Sequence, residues 1–230
     1  MKKNNLFYYL TFCMLLVSIA WGQDNIVTRL TATLDDQSMV AENGLHFGDL
    51  RQFGPRITPY GDCFDVINGY AFLGWYRGGM DDRTLMLSRK NLNVPDSDWV
   101  TIEFPHEHFG FRHDRSLGDS HNTISIGIST FDNRVHMIYD MHAYTPSDTP
   151  DSFFNYSVSE AGGAFVPDSE FNLSLFENEN TTNAKLNYLN QGENYNRLTY
   201  PEIHRTPEGN LAVTYRFGGA GNGDRLLAYY

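Results

Sequence analysis

The sequence predicts an all-β protein made of antiparallel sheets, and three observations point there. After residue 25 no stretch keeps a helical period of apolar residues; short apolar runs separated by turn pairs recur instead. Aromatic residues make up 14% of the chain, and with Val and Ile they fill those runs, as suits pleated, half-buried strands. Hydrophobic residues at 41% and charged residues at 20% supply a sizeable core and exclude a disordered tail.

The N-terminus stands apart from this pattern. Lys2 and Lys3 precede an apolar run from Leu6 to Trp21 that closes in Ala20-Trp21-Gly22, the layout of a cleavable export signal. Residues 1–22 are therefore expected to be removed, leaving a domain over 23–230 in a secreted or periplasmic protein. The run is short for a membrane span and no stop-transfer segment follows, so membrane insertion is not expected. Cys13 lacks the small residue before it that a lipoprotein anchor uses. Losing Cys13 leaves Cys63 alone in an unbridged chain, where a buried, inert thiol is expected.

Three strand units follow. In the first, Val66-Ile67 passes the turn Asn68-Gly69 into a strand from Tyr70 to Arg77, and Leu85–Ser88 makes the next. In the second, Thr123–Ile128 leads through Asp132-Asn133 into Val135–Asp140, followed by Phe154–Val158. In the third, Glu202–His204 passes Glu208-Gly209 into Leu211–Arg216, and Leu226–Tyr230 begins another strand. Asn-Gly and related pairs supply the positive φ that tight hairpins need. Each unit reads strand, polar turn, strand ending in an aromatic, loop, third strand. Tyr76-Arg77-Gly78-Gly79 is echoed by Tyr215-Arg216-Phe217-Gly218-Gly219. Such repetition fits an incomplete β-propeller ring of about three four-stranded blades with long inserted loops; a sandwich or jelly roll also yields many short strands.

A formal charge of −11 argues against nucleic-acid binding, which needs a basic face, but leaves an anionic substrate open because a site needs only local positive charge. No motif requires a cofactor: Gly218–Asp224 is glycine-rich yet lacks the Lys-Ser/Thr ending of a phosphate loop and leads into a strand. His106, His108 and His113 have spacing weakly suggestive of metal ligands, and a polar, aromatic substrate loop is the preferred reading.

Four residues sit where loops leave strands. His121 precedes the strand that starts at Thr123, and His142 follows the strand ending at Asp140. Tyr200 precedes the strand at Glu202, and Arg216 ends its hairpin partner. Since a hairpin's first strand begins on the rim where its second ends, topology pairs His121 with His142 and Tyr200 with Arg216, and predicts one shared pocket.

The strings Gly61-Asp62-Cys63-Phe64-Asp65, Gly118-Asp119-Ser120-His121-Asn122, Tyr139-Asp140-Met141-His142, Thr199-Tyr200-Pro201 and Tyr215-Arg216-Phe217-Gly218-Gly219-Ala220-Gly221-Asn222-Gly223-Asp224 resemble the BNR-repeat polysaccharide lyases. The nearest group is the seven-bladed propeller ulvan lyases, and the resemblance spans Asp62 to Tyr230 but only the N-terminal half of such an enzyme. It implies β-elimination on a sulfated, uronic-acid polysaccharide. In that chemistry Arg216 neutralises the uronate carboxylate, so the acidified C5 proton can leave. Tyr200 resembles the family tyrosine that takes this proton; an ordinary tyrosine, with a pKa of about 10, needs nearby positive charge to do so. His121 and His142 match the two site histidines. Arg112, Arg115 and Arg197 are candidate sulfate contacts, and Asn122 a further substrate contact. Two other readings fit the residues: a rhamnosidase-like glycoside hydrolase on a related propeller, and an inactive or glycan-binding fragment whose ring is completed by a missing C-terminal half.

Overall fold

A computed structural model describes residues 38–44, 62–78, 82–108, 119, 121–139, 155–179, 198–217 and 224–229. Residues 1–22, expected as an export signal, and the glycine-rich stretch Gly218–Gly223 lie outside these residues. From residue 40 onward the described residues belong to one compact unit.

The turn chemistry builds the hairpins. Asn68 and Gly69 both take positive φ, 51° and 77°, so β1 (Phe64–Ile67) and β2 (Tyr70–Tyr76) join through a two-residue turn with Ile67 opposite Tyr70. Two further strands, β3 (Thr84–Asn91) and β4 (Val100–Glu107), complete a four-stranded antiparallel sheet in the order β1-β2-β3-β4. The second sheet holds β5 (Ile124–Ile128), β6 (Val135–Tyr139) and β7 (Tyr156–Val158); Asn133, at φ 58°, turns β5 into β6. The third holds β8 (Leu198–Arg205), β9 (Leu211–Phe217) and β10 (Asp224–Tyr229). All strand pairs are antiparallel, the described residues contain no α-helix, and no helix among them is long and apolar enough to cross a membrane.

In the third sheet β8 begins at Leu198, so Tyr200, expected before the strand, lies within it, and two features of the first sheet also depart from the sequence reading. The β4 strand follows an alternating Val-Thr-Ile-Glu-Phe pattern that buries only Ile102 and Phe104, and it carries His106 at its end, where a loop was expected. β3 continues past Ser88 into Arg89 and Lys90, both buried. Arg89 is accommodated because its guanidinium lies 4.1 Å from the Phe171 ring centroid and 5.1 Å from that of Tyr70. It also donates to the Ala164 carbonyl at 2.9 Å and to Asp168 at 2.6 Å. A buried cation is tolerated when stacked and hydrogen-bonded in this way. Ala164 and Asp168 come from short 3₁₀ segments, Gly163–Phe165 and Asp168–Glu170, which with Leu173–Glu179 run back from the second sheet onto the first; Phe176 meets Phe104 edge-on at 5.0 Å.

The first strands of the three sheets lie side by side, with β5 between β1 and β8. Ile126 donates its backbone N–H to the Asp62 carbonyl at 2.7 Å, and Ile203 donates to Ser125 Oγ at 2.8 Å. Arg205 of β8 pairs with Asp65 of β1 across the intervening strand. Two glycines permit the close approach: a Cβ on Gly74 would stand 2.6 Å from Ile124 Cγ2, and one on Gly127 2.4 Å from Ile203 Cγ2. Cys63 is half-buried and free, and burial pushes its thiol up, consistent with an inert thiol.

Candidate functional site

The site begins with a defect in the third sheet. Along β8 and β9, Thr199 faces Arg216 and the next regular pair is Glu202 with Thr214, so Tyr200 and Pro201 together oppose Tyr215. This is a β-bulge, and Pro201, which has no N–H to offer the ladder, suits the irregular position. Tyr200 adopts φ 53° there, a left-handed conformation that glycine takes readily and that costs an L-residue about 1–2 kcal/mol. A large aromatic held in that conformation is a feature from which function is reasonably inferred.

The bulge aims the Tyr200 ring at two partners. The Arg216 guanidinium carbon lies 6.0 Å from the ring centroid, at the outer reach of a cation–π contact. The His121 ring lies 5.7 Å away, centroid to centroid, tilted by 59°. His121 comes from the loop that enters β5, so the second sheet contributes the imidazole and the third contributes the phenol and the guanidinium. Tyr200 and Arg216 are both partly exposed, and the His121 side chain keeps 15% of its surface open, so all three are within reach of a ligand.

Beneath His121 sits Asp119, whose side chain is fully buried. Its Oδ1 accepts the backbone N–H of His121 at 3.0 Å and also contacts His121 Nδ1 at 3.0 Å. The Asp119 carbonyl in turn contacts Nε2 of His108 at 3.1 Å. His108 is buried just beyond β4, edge-on to Tyr76 at 5.1 Å, with its backbone N–H donated to the Arg83 carbonyl. The first sheet thereby props the loop that carries the imidazole.

Of the residues singled out from sequence, the structure brings His121, Tyr200 and Arg216 together. His142, Arg112, Arg115 and Arg197 lie outside the described residues. Asn122 is fully buried and its backbone N–H closes a turn onto the Asp119 carbonyl at 3.2 Å. In this arrangement Asn122 belongs to the loop's framework. His106 and His108 do not act as a pair: His106 stacks edge-on against Tyr139 at 4.8 Å while His108 supports Asp119. Among the described residues no group of three or more His, Cys, Asp or Glu side chains is placed to hold a metal ion. Asp119 was not singled out from sequence as part of the site, and His108 was read in a substrate loop and not beneath the loop of His121. The signal for Asp119 was present, because an Asp two residues before a loop position is the usual way to fold a side chain back onto the backbone.

Residues 70–230 match the model of a BNR repeat-containing family. The chain belongs to that BNR repeat-containing family. This member is 37% identical to the ulvan lyase, long isoform, of Alteromonas sp. (strain LOR), across 86% of this chain and 23% of the relative. It is 34% identical to the short isoform from the same strain, across 90% of this chain and 44% of that protein. Among solved structures it superposes on the polysaccharide lyase Uly1 with a TM-score of 0.66 and 32% identity, covering 82% of this chain and 45% of Uly1. The BNR repeat-containing chain thus spans less than half the length of each of these relatives.

Proposed function

We propose that the chain carries the eliminating site of a polysaccharide lyase acting on ulvan or a similar sulfated, uronic-acid-containing polysaccharide. Arg216 binds the uronate carboxylate and offsets the charge that builds on it as the C5 proton leaves. Tyr200, as phenolate, takes that proton; the C4–oxygen bond breaks, a C4–C5 double bond forms, and Tyr200 returns the proton to the departing glycosidic oxygen. The Arg216 guanidinium carbon lies 6.0 Å from the Tyr200 ring centroid, and positive charge nearby is what a phenolate base requires. His121 assists charge neutralisation or proton transfer beside Tyr200, with His142 as the second histidine. Arg112, Arg115 and Arg197 serve sulfate groups. The three sheets are read as consecutive blades of a propeller, with β1, β5 and β8 as their innermost strands, and residues 1–22 as an export signal.

The observation that carries the reading is the left-handed Tyr200 on its bulge, within about 6 Å of both an imidazole and a guanidinium. The likeness to ulvan lyases supports the choice of substrate. Incubating the chain with ulvan tests both. Ultraviolet absorbance from the conjugated product is expected to rise in step with new reducing ends. Reducing ends without absorbance would mean hydrolysis, and neither would leave a glycan-binding or inactive portion of a longer enzyme.

A further inference from the structure

We propose that Asp119 is a positioning residue for His121, fixing its tautomer and ring orientation, with His108 holding Asp119 in place. The assignment rests on the elimination reading only for its catalytic consequence; its structural content stands on the hydrogen bonds themselves.

Oδ1 of Asp119 receives the backbone N–H of His121, so this oxygen is an acceptor. The same oxygen stands 3.0 Å from Nδ1 of the ring. Two atoms that only accept would repel at that distance, so Nδ1 carries the proton and the lone pair of the neutral imidazole lies on Nε2. Free imidazole side chains are not held in one tautomer, and an aspartate on Nδ1 is an effective way to select one. The fixed tautomer bears on a ring packed 5.7 Å from the Tyr200 ring.

The carboxylate is well placed to exert this effect. It is fully buried, so water does not screen it, whereas an exposed ion pair contributes little. Its backbone is held on the other side by the buried His108, which directly follows β4 of the first sheet. Lateral motion of the loop against the first sheet would have to break the contact between His108 and the Asp119 carbonyl. Preorganisation of this kind sets how accurately a catalytic group is aimed. A simpler alternative exists, in which Asp119 merely folds the loop through the backbone N–H bond. Loop folding alone makes no demand on the imidazole proton.

The test separates them. In the full 230-residue chain labelled with ¹⁵N-histidine, with His121 assigned by its loss in His121→Gln, the ring nitrogen shifts above the titration range are expected to report protonated Nδ1. Asp119→Ala is expected to move the ring toward the mixture of tautomers seen in unrestrained histidine. Asp119→Asn retains an oxygen for the backbone N–H, so the loop keeps its turn while the charge is removed. The same oxygen also accepts Nδ1–H, so Nδ1 protonation is expected to persist in this variant, whereas in Asp119→Ala turnover of ulvan is expected to drop about 10–100-fold in kcat with KM nearly unchanged. A wild-type ring protonated on Nε2 overturns the proposal, as does an Asp119→Ala ring whose tautomer population is unchanged. Absence of ulvan cleavage by the wild-type chain would count against the elimination reading and leave the tautomer measurement to decide this one.

Discussion

Replacing Gly127 with alanine adds one methyl group at the seam between the second and third sheets. The new carbon would lie 2.4 Å from Ile203 Cγ2, 3.3 Å from Ile203 Cβ and 3.4 Å from Leu211 Cδ2. Carbon–carbon contacts settle at about 3.5–4.0 Å, so the closest pair must separate by more than 1 Å. Ile203 has little room to yield. It is β-branched and stiff at χ1, 3% exposed, paired with Val213 along β9, and tied to Ser125 by its backbone N–H. Overpacking of this kind costs about 1–3 kcal/mol, and the reduced entropy of the unfolded chain returns about 0.4–1 kcal/mol, so a net loss of about 1–2 kcal/mol is expected. The measurement is a urea midpoint followed by tryptophan fluorescence. Gly44→Ala is the control, since nothing lies within 4 Å of its added carbon, and it should be neutral or slightly stabilising. Combining Gly127→Ala with Ile203→Ala removes the clashing methyl, so the double variant should be more stable than the sum of the two losses implies, by at least about 0.5 kcal/mol. A Gly127→Ala protein as stable as the wild type, or strict additivity with Ile203→Ala, would refute the claim that the sheets meet through this glycine. Because β5 follows His121 and β8 carries Tyr200, the same variant is also expected to lower turnover.

Three further outcomes are expected. At position 200, Tyr200→Gly should be more stable than Tyr200→Ala by about 1 kcal/mol in denaturant titrations, the reverse of the usual order in a strand, because glycine takes the left-handed conformation without cost; Ala above Gly would show that the bulge is unstrained. His136, buried in β6 with Nδ1 2.7 Å from the Tyr156 hydroxyl, has its pKa lowered to about 4 by burial. The unfolded chain binds a proton at about pH 6.5 that the folded chain refuses until about 4, so this contribution is complete above pH 6.5 and about 3 kcal/mol is lost as pH falls through that window. The pH dependence of urea midpoints should flatten over that window in His136→Gln, and an unchanged slope would remove His136 as its source. Arg89→Lys keeps the charge but not the fork that reaches Ala164 and Asp168 together, and thermal or urea unfolding should show a loss of about 2–3 kcal/mol, whereas a loss below about 0.5 kcal/mol would make the stacked arginine incidental.

The hairpins were legible because their signals are local. Asn68-Gly69 and Asp132-Asn133 specify turns through the φ values their own backbones accept, and the flanking apolar runs specify strands by composition. β4 was harder to read, since Pro105 and three charged or histidine residues obscure an alternation of only two buried side chains. The buried end of β3 could not be read at all. A run of Ser-Arg-Lys-Asn looks like solvent-facing sequence until the rings of Tyr70 and Phe171 enclose the arginine, and Phe171 is 82 positions away.

The sequence by itself determined the all-β class, the three strand units, and the side chains suited to proton and carboxylate chemistry at strand ends. It placed Tyr200 and Arg216 on one rim, because an antiparallel hairpin leaves no other arrangement for a first strand's start and a second strand's end. Tertiary structure decided the rest. The bulge that turns Tyr200 left-handed, the approach of His121 from a different sheet, and the burial of Asp119 under that histidine each depend on groups far apart along the chain. Their energies come from packing and desolvation that exist only once β1, β5 and β8 lie together, and no local pattern of residues carries that information.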